Sequence, residues 1–100
     1  MSEKEMVGKI EDTIYWLYQN RAEEGIQMVV SWLTMFQSFL GDCESVKNPE
    51  IRSFGILMIR ELLEAYQAHD VIGMADCMAE MSILFVKAYF QNLKVEGSEG

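Results

Sequence analysis

The chain has 100 residues, half of them apolar, and sixteen acidic side chains against eight basic ones leave a net charge of −8. That is one domain's worth of sequence, able to bury roughly 60–68% of its unfolded surface in a single core without metal or disulfide staples. The charge argues against a nucleic-acid or anionic-membrane partner, and the lysines and arginines are scattered singly with no basic patch. Cys43 and Cys77 are isolated from each other and no apolar leader opens the chain, a pattern that suits a reducing cytoplasm.

Apolar residues recur every three or four positions throughout, and no alternation of period two is long enough for a strand, so the expected class is all-α. Ser2, with Glu5 three residues on, has the form of a capping box and opens a first helix carrying Ile10, Ile14, Leu17 and Tyr18 on its apolar face. The polar stretch QNRAEEG at 19–25 interrupts it. A second helix then runs to about Leu40 and presents Gly25, Met28, Val29, Trp32, Met35, Phe36 and Phe39. Its uncharged run, 25–41, is short for a membrane span and holds five polar residues.

Residues 41–49, GDCESVKNP, read as the one clear loop, with Gly41 ending the second helix in a left-handed conformation and Asn48-Pro49 starting the third. The third helix carries Ile51, Phe54, Met58, Ile59, Leu62, Leu63 and Tyr66. The fourth starts after His69 with Asp70 as its cap and ends near Leu93, so that 1–94 form one domain and 95–100 a flexible polar tail. Shifting the chain by 49 residues superposes the apolar patterns of its two halves, Ile10 on Ile59 and Phe36 on Phe85 among them. Two αα-hairpins follow, and their short turns predict a four-helix up-and-down bundle; the alternative is a three-helix arrangement with one long kinked N-terminal helix.

The chemistry-bearing cluster is HDVIGMADCMAEM at 69–81. Asp76 and Glu80 lie one helical turn apart and, with His69, make the alternative of a carboxylate/His metal-binding protein. A di-metal bundle, however, needs two inward Glu-x-x-His pairs, and a zinc site needs three or four convergent ligands; capping and solvation account for these residues more simply. No phosphate loop, nucleophile elbow or metalloprotease signature is present, so no catalytic residue, cofactor or enzyme activity is expected.

The fourth helix is more apolar than a bundle requires. Met74, Met78, Met81 and Phe85, flanked by Cys77, Leu84 and Ala88, supply one stripe. Ala79, Ile83, Val86 and Phe90, bordered by Leu93, supply a second on nearly the opposite side, and Ile56 and Leu57 are a similar excess on the third helix. Seven surplus apolar residues mark an interface, with a C2 homodimer as the commonest solution; the competing reading is a bundle irregular enough to cover them itself.

The stretches NRAEEGIQMVVSWLTMF and ELLEAYQAHDVIGMADCMAEM together resemble a family of short helical bacterial proteins of Firmicutes type. The matching positions are Glu23, Glu24, Gly25 and Ile26, then Asp70, Ala75, Asp76 and Glu80; Met81-Ser82 depart from the polar–apolar pair that leads to a proline in that pattern. The resemblance implies a small cytoplasmic helical protein and no activity. The size, charge and bundle character are also similar to those of flagellar or type III export chaperones, the alternative in which an apolar surface holds a client helix.

Overall fold

The computed structural model describes residues 2–19, 22–45 and 48–99, with side chains described except at 42–45 and 93–99. Helix α1 spans Glu3–Tyr18, α2 Ala22–Ser45 and α3 Pro49–Gln67. A fourth arm is built from α4, Val71–Cys77, a π-helical turn, Met78–Ser82, and α5, Ile83–Glu99. All the regular structure described is helical, and the four rods lie together in a body of 46 × 23 × 18 Å. Each rod packs on its sequence neighbours, and α1 closes the ring against the fourth arm, the up-and-down arrangement of two hairpins.

Local chemistry sets the helix starts. The Ser2 hydroxyl accepts the Glu5 amide at 3.2 Å, Asn48 Oδ1 accepts those of Glu50 and Ile51 at 3.2 and 3.4 Å, and Asp70 Oδ1 accepts that of Gly73 at 2.9 Å. Each satisfies amides that have no partner inside the helix. Helix α3 ends with His69 at φ 55°, its amide donating to Tyr66 O at 3.1 Å while that of Asp70 donates to Ala65 O at 2.9 Å. This is a Schellman ending with histidine in the left-handed place usually held by glycine.

Several boundaries differ from the expectation. Helix α2 runs through Gly41 to Ser45, and no described glycine has a positive φ, so Gly41 is no left-handed stop. Little of the expected 41–49 loop is left outside helices, and its residues Val46 and Lys47 lie outside the described set, as do Asn20 and Arg21 of the first turn. Helix α5 continues past Leu93 to Glu99, so the backbone of residues 95–99 of the expected tail is helical, and Gly100 lies outside the described residues.

The core is formed by Met6, Ile10 and Leu17 from α1, Val29, Trp32, Leu33 and Phe36 from α2, Met58 and Leu62 from α3, and Met74, Met78, Phe85 and Val86 from the fourth arm. Two glycines permit its closest approaches. A Cβ on Gly25 would stand 2.9 Å from Leu17 Cδ2, and one on Gly55 would stand 2.6 Å from Phe85 Cε1, so the Phe85 ring lies against bare α3 backbone. On α1 the expected Tyr18 faces out, 49% exposed, while Thr13 is fully buried. The Thr13 hydroxyl accepts the Trp32 indole N–H at 3.0 Å and donates to Lys9 O at 2.9 Å. Trp32 therefore draws a polar partner into the core, since its N–H cannot be buried unpaired without a cost of about 1–3 kcal/mol.

The fourth arm holds the largest departure. A π turn accommodates one more residue than the α-helix it interrupts, so the inward face shifts by one position beyond it. Met74, Cys77, Met78 and Phe85 point inward as expected; the other buried residues are Ser82 at the end of the turn and Val86 and Tyr89 beyond it. Leu84, expected to flank the core, is 56% exposed, and Met81 is only half-buried. The shifted register is held by aromatic packing: Tyr89 stacks on Phe39 with centroids 4.3 Å apart and planes 4° from parallel, and Phe85 meets Phe36 edge-on at 6.0 Å.

Candidate functional site

Helix α3 runs between two seams of opposite character. On one side Glu61 and Glu64 of α3 face Asp70, Asp76 and Glu80 of the fourth arm across a cleft of about 390 Å³, with Cys77 at its floor. Asp70 is committed to capping α4, and Asp76 accepts a hydrogen bond of 2.7 Å from the Tyr18 hydroxyl. That bond favours the neutral phenol and holds the Tyr18 pKa above its ordinary 10.0. His69 is exposed in its left-handed turn. Among the described residues no three His, Cys, Asp or Glu side chains converge as metal ligands do.

Cys77 is shaped against nucleophilic chemistry. Burial first, then the charges of Glu61 and Glu80, push its pKa up to about 12, and the thiol donates to Met58 O at 3.6 Å. A reactive cysteine needs the opposite surroundings, cationic and partly open.

On its other side α3 presents Ile56, Ile59 and Leu63, a set spaced three and four residues apart and turned away from the acidic cleft. This flank faces α2, which packs along α3. Helix α2 meets α1 through Met28, Ser31 and Met35, which line shallow grooves with Trp16 and Lys9 of α1. Its opposite flank, Ile26, Val30 and Leu33, is thereby turned toward α3. Val30, Ile56 and Leu63 are 42%, 37% and 38% exposed. The seam is apolar along its middle with Gln37 as a polar member, and by the same spacing Arg52 of α3 and Glu23 of α2 stand at its ends.

The sequence-predicted interface is divided by this geometry. Ile56 is on the apolar seam; Leu57, 44% exposed, is on the flank of α3 turned to the fourth arm. Ala79 is exposed, Ile83 and Phe90 are half-buried against the core, and Val86 is fully buried. The side chain of Leu93 lies outside the described set. Apart from exposed Ala79, the described residues of the fourth-helix stripe are no free surface: Val86 beyond the π turn is buried, Ile83 and Phe90 pack against the core, and α1 packs against α4, the π turn and α5. In the sequence alone Val30 and Leu63 look like core or neutral positions of their helices, and the structure leaves both partly exposed.

Among the described residues no helix is long and apolar enough to cross a membrane. Comparison of the chain with protein-family models, curated proteins and solved structures finds no match.

Proposed function

We propose that the chain is a non-enzymatic protein–protein interaction module that pairs with a second copy of itself through the apolar seam of α2 and α3. The observation that carries this reading is the run of exposed Val30, Ile56 and Leu63 on two packed helices, with Leu33 and Ile59 beneath them. Two copies of a chain with net charge −8 repel, and the middle of the seam, Val30, Ile56 and Leu63, adds no charge to that repulsion. A twofold axis across α3 sets Ile56 of one copy against Leu63 of the other, a self-complementary contact.

Size-exclusion chromatography with light scattering tests it. The parent chain is expected to run as a dimer at high micromolar concentration, and the double variant Ile56→Glu, Leu63→Glu as a monomer with unchanged helical circular dichroism. A parent that stays monomeric throughout that range ends the proposal. Phe90 is no place for such a test, since it packs edge-on to Phe39 at 6.5 Å and its replacement disturbs the core.

A further inference from the structure

The π turn leaves two costly features behind it. The Ser82 hydroxyl is fully buried with no hydrogen-bond partner, and Leu84 stands 56% exposed. Both are reversed if the arm is read as one unbroken α-helix. Every place beyond the turn is then filled by the residue one earlier in the chain. Met81 takes the place of Ser82, Leu84 that of Phe85, Phe85 that of Val86 and Ala88 that of Tyr89. All four replacements are apolar, so the same cavity in the bundle has two fillings from one sequence.

The second filling has its own costs. It gives up the stack of Tyr89 on Phe39, and it turns Ile83, Val86 and Phe90 into the places of Leu84, Lys87 and Gln91, all three of which face water. The two arrangements therefore exchange one defect for another: an orphaned hydroxyl and an exposed leucine against a lost ring stack and an exposed apolar stripe.

We propose that the π turn is a register joint, through which α5 exchanges between the packing described and an α-continuous packing one residue out of phase that brings Ile83, Val86 and Phe90 to the surface. The movement is a rotation of about 100° with a slide of about 1.5 Å along the helix axis, and residues up to Cys77 keep their places. It moves the chain between a state that conceals this apolar stripe and one that presents it. Exposure of the stripe to water makes the concealed state the dominant one in the free chain, with the other in the minor range of about 0.1–10%. The joint stands on the core geometry alone and does not depend on the α2–α3 seam pairing two copies.

Backbone-amide relaxation dispersion on the intact chain reads this exchange directly, because helix register shifts occur in microseconds to milliseconds. An exchange contribution is expected from about residue 79 to 92 and at the α2 residues beside Phe36 and Phe39, with none in the first turns of α2. Leu84→Glu leaves the described packing untouched but forbids the second, in which the side chain enters the core; it is expected to abolish the exchange and preserve the rest of the spectrum. Deletion of Ala79 removes the extra residue, making the arm α-helical with Phe85, Val86 and Tyr89 still inward, and is expected to abolish it too. Flat profiles in the parent chain, exchange that persists in Leu84→Glu, or a deletion variant that fails to fold each overturn the joint.

Discussion

Val30 and Ala79 hold equivalent places 49 residues apart, both exposed on the second helix of a hairpin, yet the helices that carry them obey different geometry. Around Val30 the α-period is unbroken, and Val29, Trp32, Leu33 and Phe36 follow one another inward. Around Ala79 the chain widens into the π turn, and the inward sequence becomes Met78, Ser82, Phe85, Val86. Leu33 and Ser82 are counterparts under the repeat and both are buried, one a leucine and the other an unpartnered hydroxyl. The second hairpin thus carries one residue more than its packing needs, and its core records the mismatch.

Deleting one residue from each hairpin breaks the comparison most sharply. Removal of Val30 throws either Val29 or the Trp32, Leu33 and Phe36 set out of phase with the core. The loss of several buried side chains at about 2–5 kcal/mol each exceeds the whole stability of a domain this size. Removal of Ala79 only converts the π turn to α-helix, and stability is expected to stay within about 1 kcal/mol of the parent. Chemical denaturation monitored by circular dichroism gives both values. Equal damage from the two deletions contradicts the account of the π turn as a one-residue excess.

The buried hydroxyls of the two hairpins make a smaller contrast with opposite signs. Thr13 is fully buried but satisfied, and it satisfies Trp32 in turn at 3.0 Å. Thr13→Val keeps the shape and orphans the indole N–H, so it is expected to destabilise by about 1–3 kcal/mol. Ser82 is fully buried and bonded to nothing, so Ser82→Ala removes a desolvation cost and is expected to be neutral or stabilising by about 1 kcal/mol. Denaturation midpoints decide both, and a destabilising Ser82→Ala would mean that the hydroxyl does find a partner.

The sequence announces what depends on neighbours along the chain and conceals what depends on neighbours across the bundle. Ser2, Asn48 and Asp70 are readable as caps because a cap is completed within three residues. The four rods and their order follow from an apolar period that each helix carries alone. The period fails as a guide at Met81, because the wide turn is set by Tyr89 reaching Phe39 on another helix. Gly41 misleads for a similar reason: glycine permits a helix stop but does not impose one, and α2 runs on to Ser45. Of the interface residues, Ile56 and Leu57 are exposed as expected, since α3 keeps its period. Val86 is buried because it lies beyond the turn. Thr13 inside and Tyr18 outside invert the hydropathy of their residue types, and only Trp32 and Asp76 explain why.

The last contrast is between two sulfur atoms at equivalent places. The Met28 sulfur in α2 lies 3.8 Å from the Thr13 hydroxyl, whose proton goes to Lys9 O, and it cannot ionise. Cys77 donates its thiol proton to Met58 O at 3.6 Å, and its pKa rises from the ordinary 9.0 to about 12 by burial and by the charges of Glu61 and Glu80. A thiol whose folded pKa lies above its unfolded one binds its proton more tightly in the folded chain. Its contribution to stability is therefore complete below pH 9.0 and is lost progressively as the pH climbs from 9.0 toward 12. Cys77→Ala removes this dependence, so the stabilities of parent and variant are expected to draw closer across that window. Tyr18, also raised above its ordinary value, titrates in both chains and drops out of the difference. Measured by denaturation at stepped alkaline pH, a difference that stays constant through the window would show that the thiol ionises in the folded chain as readily as in the unfolded one.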